Sequence, residues 1–493
     1  MLILQAYEAQ VNHNWGAISE LSRQYDVSRT FLYSLLSTFK EEMGDLFFPR
    51  ERLVPPSKEA AEANILAQRF EGKSSIDAIS TLMKRAYLPF SSVGYISEYL
   101  FRVGKSLPNV LVNTCKSEQF LAFADDEIFA KSAPILITVD PISSAILRIE
   151  RVDQRSADEW SHHYQALLEK GFSPDLLTSD AGTALCAAHK RVFPNTPWQS
   201  DTFHGIAHRL GDWVRRLEKS AYTAIEEAAK REKTLASAKK DSVIDKRLNA
   251  CLIADDATKQ AIELYENFNY LYRYLIRQLN IFDSKGHIRQ YEQVKENMEI
   301  ALELMETLHH KPINKAIASI KKALPDLLTY WADARVAVET CQKLSPDQDA
   351  LHALYLGWQW NKAVIKAKSI PRKHGAIEQR QFYLELAELL IGGKEKYLEL
   401  KAHVFDELDH IIQASSMVEC INSILRPYLN TSKNQITQAF LNTFMFYHNH
   451  RRYHAGKRKG KTPIEILTGK EQKEDWVVLL QKEVNKEAFT LPA

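Results

Sequence analysis

Three acids in this chain, Asp126, Asp180 and Glu419, have the type and placement needed to hold a metal ion. Asp126 lies near the end of an apolar run, Phe123-Ala-Asp-Asp-Glu-Ile-Phe129, and Asp180 directly follows another, Leu176-Leu-Thr-Ser. The hard ion Mg²⁺ prefers carboxylate oxygens, and two such ions can activate the attacking oxygen and stabilise the leaving oxygen when a phosphodiester is cut or transferred. If the fold brings the acids together, we predict a site for two Mg²⁺ ions that also accepts Mn²⁺.

Glu419 lies on a predicted helix with a polar stripe. At about 100° per residue, Glu419, Asn422, Ser423 and Arg426 share one face of an otherwise apolar helix. For each acid taken alone, a solvated surface carboxylate is the commoner outcome. The combination of three acids, each in a suitable element, favours a metal site.

The strands and helices that would position these acids begin near residue 117. From there, short apolar runs typical of strands replace the spacing of apolar residues that is typical of helices. The predicted order is βββαβαβ, which is the RNase H-like order. Strands one and four are neighbours in such a core, so Asp126 and Asp180 would converge. The predicted strands are 119–129, 134–140, 145–152, 174–179 and 198–203, and the predicted helices are 157–170 and 184–192.

Asp140 is the alternative to Asp126 as the first acid, since it ends the predicted second strand. The segment Pro141-Ile-Ser-Ser144 then reads as a hairpin turn. Aspartate is common in such turns because its carboxylate accepts local backbone hydrogen bonds. We therefore favour Asp126.

The segment before the core predicts two helix-turn-helix units. In the first, Ser28 is a suitable N-cap for a helix over 29–38, and Ser28, Arg29, Thr30 and Tyr33 would face a major groove of DNA. A proline-containing break spans 48–56. A second helical pair covers 75–85 and 92–105, with Ser91 or Ser92 as its cap. A plain helical hairpin is the alternative for each pair.

Residues 210–400 carry no strand signal and read as a folded helical block, because long amphipathic helices must bury their apolar stripe. Trp358 and Trp360 within it are expected to be core residues, which is the usual role of tryptophan on an amphipathic helix. We predict six segments. They are a helix-turn-helix unit at 1–48, a linker with a second such unit at 49–112, the first part of the core at 113–210, an all-helical insertion at 211–400, the last part of the core at 401–455, and a basic C-terminal tail at 456–493.

The stretch from Tyr447 to Lys461 is rich in basic and aromatic residues and contains no acid. A solvated charge run is one outcome for such a stretch, and contact with DNA phosphates is the other. The residues predicted to bind DNA here are Arg451, Arg452, Lys457, Arg458 and Lys459.

These motifs together resemble the DDE transposases of bacterial insertion sequences. Asp126-Glu-Ile-Phe129, Ser179-Asp180-Ala-Gly-Thr183 and the Glu419 to Arg426 helix are similar to the three acidic motifs of that family. The stretches 449–452 and 456–463 resemble its terminal motif. Asp201-Thr-Phe-His204 resembles the Cys/Asp-x-x-His element of Mutator-like transposases, although a structural histidine at a strand end is equally compatible. The long interval before Glu419 is similar to that of transposases with an insertion domain. In some of these a tryptophan of the insertion stacks on a DNA base, and the resemblance implies this as the alternative role for Trp358 or Trp360.

The resemblance implies a catalytic and metal-binding triad of Asp126, Asp180 and Glu419, supported by Asp201, His204, Asn422 and Arg426. It implies a homodimer or larger homo-oligomer on double-stranded DNA that cleaves transposon ends and transfers the 3′-hydroxyl into target DNA. A structure-specific nuclease on the same fold and a domesticated, non-catalytic DNA-binding regulator are the alternatives.

Composition restricts these classes only weakly. The chain has 493 residues, 45% of them hydrophobic, 26% charged, and a net charge of +2, so a nucleic-acid partner must be argued from where the charges lie. The five cysteines are scattered without a CxxC pair, which argues against a zinc ribbon or a disulfide framework. No apolar run of about 18 residues occurs. We expect a cytoplasmic protein that joins the nucleoid when bound to DNA, with no membrane partner.

Overall fold

The structure is a computed structural model that describes residues 1–47, 56–115, 119–131 and 133–488. Contacts within it divide the chain into two compact units: Met1–Leu66 with Ile76–Ile96, and Ala67–Ser75 with Ser97–Ala493. The break predicted at 48–56 falls almost wholly outside the described residues, as do residues 489–493 of the predicted tail.

The first unit begins with three helices, α1 (Leu2–Val11), α2 (Ala17–Gln24) and α3 (Arg29–Phe47). The predicted cap at Ser28 is present, because its Oγ accepts a hydrogen bond from the backbone N–H of Phe31 at 3.0 Å. Helix α1 was not predicted, and α3 is nine residues longer than the predicted 29–38. The small core of this bundle consists of Ala6, Leu21, Leu32 and Leu36.

Three further helices follow: α4 (Lys58–Phe70), α5 (Ile76–Arg85) and α6 (Val93–Ser106). The last two are the predicted second pair, and Ser92 caps α6 by accepting a hydrogen bond from the N–H of Tyr95 at 3.2 Å. Helix α4 was missed, because it directly follows the proline-containing break and was taken as part of the linker.

One five-stranded sheet forms the centre of the second unit. Its spatial order is β3-β2-β1-β4-β5, in which β1 to β3 are antiparallel and β4 and β5 continue the sheet in parallel with β1. All five predicted strands are present, with ends that differ by a few residues. They are β1 (Ala122–Ala130), β2 (Ala133–Val139), β3 (Ile146–Arg151), β4 (Leu176–Ser179) and β5 (Trp198–Ser200).

Helices α7 (Ala157–Glu169) and α8 (Thr183–Val192) cover one face of this sheet. The aromatic rings of Trp160 and Tyr164 on α7 are buried in the same hydrophobic core as Phe123 of β1. Burying large apolar side chains of this kind contributes about 1.5–3 kcal/mol each. This core holds β1 rigidly and therefore fixes the strand that carries Asp126.

The block between the sheet and the Glu419 helix is helical throughout its regular elements, as predicted. It starts with a six-residue π-helix, Phe203–His208, and has a core of its own in which the rings of Phe282 and Tyr355 stack at 4.7 Å. The helices are α9 (Arg209–Ala236), α10 (Asp241–Gln278), α11 (Tyr291–Glu306), α12 (Lys311–Leu327), α13 (Tyr330–Leu344), α14 (Gln348–Lys366), α15 (Ile370–Ile391) and α16 (Lys394–Asp409).

Helices α17 (Ser416–Thr431) and α18 (Gln438–His450) complete the second unit around the sheet. Asn449 of α18 bonds both backbone groups of Ile146 on β3, through its Oδ1 at 2.8 Å and its Nδ2 at 2.9 Å. These bonds satisfy polar backbone groups on the edge strand, which would otherwise be buried without a partner.

The described part of the predicted basic C-terminal tail, residues 456–488, is folded within the second unit. Two helices follow the basic stretch, α19 (Pro463–Thr468) and α20 (Trp476–Ala488). The ring of Trp476 is 2% exposed, and its N–H donates to Glu71 Oε1 at 2.8 Å. The basic charge of residues 447–461 concealed the apolar residues that follow, which form these helices.

The chain is thus mostly helical, with one small mixed sheet, and the predicted mixed α and α/β class is confirmed at that level. No helix among the described residues combines the length and the apolar character that a membrane span requires.

Candidate active site

The parallel pairing of β1 with β4 places Asp126 and Asp180 just beyond the carboxyl end of the region in which the two strands pair. Ala124 pairs with Thr178, and each acid lies two residues beyond its strand's member of this pair. Successive side chains alternate between the faces of a strand, so both acids continue the face of Ala124 and Thr178. Asp180 is exposed directly after β4, where its Oδ1 accepts a hydrogen bond from Gly182 N at 3.0 Å.

The neighbouring acid Asp125 points to the opposite face and is fully buried. Its carboxylate accepts hydrogen bonds from Thr138 Oγ1 at 2.5 Å and from the hydroxyl of Tyr164 at 2.9 Å. Asp125 is therefore a structural residue under α7, and Asp126 is the β1 aspartate that faces Asp180 and Glu419.

Helix α17 supplies the third acid and a supporting amide. Asn422 Nδ2 donates a hydrogen bond to Asp126 Oδ2 at 2.7 Å, and Asn422 is only 2% exposed. Glu419 lies one turn earlier on the same face, near enough to Asp126 for its charge to raise the pKa of that carboxyl. Arg426 lies two turns beyond Glu419, exposed, and its charge helps to lower the pKa of Glu419.

Asp201 joins the two ends of the helical block and so sets the position of α17. Its Oδ1 accepts hydrogen bonds from the N–H groups of Phe203 at 2.6 Å and His204 at 3.1 Å, and its Oδ2 accepts from Ser415 N at 3.0 Å and Ser415 Oγ at 2.5 Å. Asp201 is 1% exposed. Four donors therefore satisfy this buried carboxylate.

A second link lies beside the first. Thr202 donates to the backbone oxygen of Gln413 from both its N–H, at 3.0 Å, and its Oγ1, at 2.7 Å. Together, these bonds place Glu419 beside the sheet although a large helical block separates them in the chain. Gln413, Ser415 and Thr202 were missed by the sequence analysis, because nothing in one sequence indicates which backbone oxygen closes an insertion.

His204 touches the third acid directly. Its Nε2 lies 3.1 Å from Glu419 Oε1, and the ring also contacts the rings of Phe203 and His208 at centroid distances of 5.2 and 5.8 Å. His204 lies in the π-helix, an irregularity that is frequent at functional sites. The π-helix was not predicted, although the motif Asp201-Thr-Phe-His204 had identified the residues at its start.

Burial raises the pKa of Asp126 to about 7, and the negative charges of Glu419, Asp180 and Glu127 add to this effect. Glu419 behaves differently, because the hydrogen bond from His204 lowers its pKa. The same hydrogen bond raises the pKa of His204. Asp126 is thus a carboxylate whose charge lacks compensation.

As placed, the acids do not form a closed set of ligands: across the described ranges, no group of three or more His, Cys, Asp or Glu side chains could hold a metal ion directly. The donor chemistry nevertheless fits Mg²⁺, since all three acids offer hard oxygen atoms. Asn422 Oδ1 is buried beside Asp126 without a hydrogen-bond partner among the described atoms. Asp180 and Glu419 are exposed enough to rotate toward Asp126, and a cation there would offset the repulsion among the carboxylates.

Asp140 has a local structural role in the turn after β2. Its Oδ2 accepts hydrogen bonds from Ser143 N at 2.8 Å and Ser143 Oγ at 2.5 Å. It follows Val139, which pairs with Ala124, whereas Asp126 pairs with Ile137 further along the antiparallel strand. Asp140 therefore lies several residues along the sheet from Asp126 and not opposite it.

The tryptophans of α14 are occupied by intramolecular contacts. Trp358 is 2% exposed, its N–H donates to Asp409 Oδ1 at 3.0 Å, and Lys362 Nζ lies 3.8 Å from the centre of its ring. Trp360 packs partly buried against the core of the helical block. In this arrangement Trp358 is a core residue.

The predicted DNA-binding residues of the first unit lie at the start of α3. Arg29, Thr30 and Tyr33 are exposed, with 55% of Tyr33 accessible, while Ser28 caps the helix. The four residues that were predicted to bind DNA in this unit therefore lie together at one accessible helix end.

Most of the basic residues near the C-terminus make contacts within the protein. Arg452 pairs with Glu465 at 3.0 Å, Lys457 with Asp409 at 3.1 Å, and Arg458 donates to the backbone oxygen of Ile142 at 2.7 Å. The guanidinium of Arg451 lies over the rings of Tyr447 and Tyr453, at 5.5 and 5.8 Å. Lys459 and Lys461 are exposed and make no side-chain hydrogen bond or ion pair with the part of the chain that the structure describes.

Comparison with known proteins returned no relative: no family model matches the chain, and no curated protein matches it significantly.

Proposed function

We propose that this protein is a DDE-type DNA transposase that cleaves transposon ends and joins the 3′-hydroxyl to target DNA, with Asp126, Asp180 and Glu419 as its metal ligands. The observation that carries the proposal is the setting of Asp126: Asn422 of α17 donates to its carboxylate, and Glu419 and Asp180 lie near enough for their charges to act on it. Burial, with these negative charges added, raises the pKa of Asp126 to about 7. Such an arrangement is costly without a cation and is typical of functional sites.

The sheet supports the proposal. Its order and its mixture of antiparallel and parallel pairs are those expected of an RNase H-like core, with Asp126 within β1 and Asp180 directly after the neighbouring parallel strand β4. A fold alone does not define an activity. The arrangement is more specific than the fold, because Asp126 and Asp180 lie at the same end of the β1–β4 pair. The third acid, Glu419, comes from α17, which packs on β1.

Bound Mg²⁺ would polarise the phosphodiester and lower the pKa of a bound water or hydroxyl. The residues around it have separate tasks. His204 holds Glu419, Asn422 holds Asp126, and Asp201 fixes the start of α17 through Ser415. These contacts keep the acids oriented, which is what catalysis by positioned charge requires.

We further propose that DNA is bound through two groups of residues. In the first unit, α2 and α3 would act as a helix-turn-helix in which Arg29, Thr30 and Tyr33 reach DNA. Near the C-terminus, Lys459 and Lys461 would neutralise phosphates, with a smaller contribution from Arg451, Arg452, Lys457 and Arg458, because the latter four already contact other parts of the protein. A homo-oligomer on DNA remains part of the proposal, since two ends must be processed together.

The test is metal-dependent cleavage of DNA by the purified chain and by Asp126→Asn, Asp180→Asn and Glu419→Gln. We expect all three variants to lose cleavage by a factor of about 10³ or more, because each loses a metal ligand, while DNA binding persists. Asp140→Asn is the matched control, and it should keep most activity because Asp140 only supports a turn.

The products separate the remaining possibilities. Joined products between labelled ends and a supercoiled plasmid would support transposition, whereas cutting without joining would support the nuclease alternative. Sequence-selective binding with no metal-dependent cleavage at all would support the regulator and refute the proposal.

A further inference from the structure

A groove beside the candidate active site has no role in the proposal so far. It is lined by Glu127, Phe129, Arg426, Leu429, Asn430 and Asn434 and has a volume of about 360 Å³, within the range of ligand sites in proteins. We call it the Phe129 groove. It runs between the end of β1 and the second half of α17.

The groove adjoins the carboxylates of the candidate active site. Glu127 directly follows Asp126 on β1, and Arg426 lies on the face of α17 that carries Glu419 and Asn422. A DNA strand whose phosphodiester lies at the acids would therefore reach the Phe129 groove with an adjoining nucleotide.

Phe129 offers a flat apolar surface at this position. Its side chain is 44% exposed although it lies in a strand, opposite Pro134 of β2. A single exposed aromatic ring is ordinary on a protein surface, so exposure alone carries no inference. What distinguishes Phe129 is its place among the cationic and amide side chains that line the groove.

The charged side chains in and beside the groove are suited to bind one phosphate. Arg155 Nη1 pairs with Glu127 Oε1 at 2.6 Å, and its guanidinium lies 5.9 Å from the ring of Phe129. Arg426 makes no hydrogen bond or ion pair with any residue that the structure describes, and it is exposed. With the Arg155–Glu127 pair neutral, Arg426, whose charge also acts on Glu419, is the cation of the groove that a phosphate can reach.

Amide side chains complete the lining. Asn430 and Asn434 are exposed at the far end of the groove, and each offers both a donor and an acceptor. A stacking ring, a guanidinium and such amides together are the chemistry that binds an unpaired nucleotide.

We propose that the Phe129 groove binds one unpaired nucleotide of the DNA strand next to the phosphodiester at the carboxylates. Its base stacks on Phe129, its phosphate pairs with Arg426, and its base edge faces Asn430 and Asn434. The inference rests on the proposed function, because it takes the ligand to be DNA. It adds that the DNA next to the cleaved bond is unpaired when it is bound.

The experiment measures DNA binding by the full chain without metal, so that it does not depend on cleavage. The probes are a blunt duplex and the same duplex with a four-nucleotide overhang that contains one 2-aminopurine. We expect the wild-type protein to prefer the overhang and to quench the 2-aminopurine. Phe129→Ala should remove the quenching and weaken overhang binding about tenfold, since stacking on a base is worth about 1–3 kcal/mol.

Three further variants make the result specific. Phe129→Trp should keep both the quenching and the affinity. Phe382→Ala is the matched control, because Phe382 is 58% exposed on α15, and it should bind as the wild type does. Arg426→Ala should reduce the dependence of log affinity on log salt by about 0.7, which is the value for one phosphate of a single strand.

Equal overhang binding by Phe129→Ala and Phe382→Ala would overturn the inference, and so would quenching that survives in Phe129→Ala. Metal-dependent cleavage by the wild-type chain, measured separately, would still support the proposed function in that case. Conversely, loss of overhang binding in Phe129→Ala by a chain that never cleaves DNA would support the groove and refute the transposase.

Discussion

The Nε2 atom of His204 lies 3.1 Å from Oε1 of Glu419, although 215 residues separate the two in the chain. The contact depends on Asp201, which bonds the N–H of His204 and both the N–H and the hydroxyl of Ser415. The helical block can therefore be large without displacing Glu419, because its two ends are tied together at the site.

We expect His204→Ala to lower metal-dependent cleavage about tenfold, since a hydrogen bond to a charged group contributes about 1.5–3 kcal/mol and here orients Glu419. His204→Gln should retain more activity, because its amide can still donate to Glu419. The measurement is the cleavage rate at saturating DNA. Equal rates for the two variants would show that the contact does not orient Glu419.

The same pair should also contribute to stability in a definite pH range. The folded pKa of His204 is raised above 6.5, so its contribution is complete below pH 6.5 and disappears as the pH rises through the raised value. The folded pKa of Glu419 is lowered below 4.5, so its contribution is complete above pH 4.5 and disappears as the pH falls through the lowered value. Without metal, His204→Ala should therefore lower the Tm most between about pH 4.5 and 6.5 and less at pH 8, and an identical loss at pH 8 would contradict the ion pair.

Asp126→Asn should stabilise the metal-free protein while it abolishes cleavage. The pKa of Asp126 is raised from 3.8 to about 7, so this carboxyl stabilises the fold only while protonated, and that contribution disappears as the pH rises to 7. We expect the Tm of Asp126→Asn to exceed that of the wild type by about 3 °C at pH 8 and by less than half of that at pH 5, since the contribution is lost between pH 3.8 and 7. Added Mg²⁺ should raise the Tm of the wild type alone, because only it keeps the ligand.

Asp125→Asn is the matched control for this measurement, since Asp125 also has a pKa raised to about 7 by burial. Its carboxylate accepts hydrogen bonds from Thr138 and Tyr164, and an asparagine would point an N–H₂ group at one of these donors. Asp125→Asn should therefore lower the Tm and preserve the stabilising effect of Mg²⁺. A gain in Tm for Asp125→Asn would mean that the two aspartates have been assigned to the wrong faces.

Arg29→Ala and Tyr33→Ala should each weaken the binding of double-stranded DNA selected by the wild-type protein from a random-sequence pool. We expect a loss of about tenfold, in the range of one base contact, and a salt dependence lower by about 0.9 for Arg29→Ala if its contact is a phosphate. Tyr222→Ala, which alters a residue 63% exposed in the helical block, is the control. Affinities equal to that of the control would exclude α3 as the helix that contacts DNA.

The sheet and the position of its acids were largely predictable from the sequence. Alternating and β-branched runs identified all five strands, and the order of elements placed β1 beside β4. Asp126 was harder, since Asp125 and Glu127 adjoin it. The choice rested on resemblance, and the structure adds the physical reason: the pleat turns Asp125 toward Tyr164 and Asp126 toward α17.

The parts that sequence reasoning missed depend on contacts between distant segments. Ser415 looks like an ordinary helix cap, yet its hydroxyl donates to Asp201 and makes no capping bond within α17. For the same reason the sequence did not indicate the partners of Lys457 and Arg458, which are Asp409 and the turn after β2. Local spacing predicts which residues share a helix face but not which distant groups they meet.

Lys459 and Lys461 carry the last prediction, because they are the basic side chains of this stretch that remain exposed and unpaired among the described residues. Neutralising a phosphate of duplex DNA releases a counterion and gives a slope of about −0.9 in log affinity against log salt. Replacing both lysines with alanine should therefore flatten the slope by up to about 1.8 and weaken end and target DNA alike, with no change in Tm.

Arg452→Ala provides the contrast. Arg452 pairs with Glu465, which caps α19 and bonds the backbone of Gln472, so its loss should lower the Tm and change the salt slope by less than one phosphate contact. Salt titrations of DNA binding and thermal unfolding of both variants check the two roles. An unchanged slope in the double lysine variant would show that Lys459 and Lys461 do not contact DNA. A full unit of slope lost in Arg452→Ala, with an unchanged Tm, would instead mean that Arg452 leaves Glu465 to bind DNA.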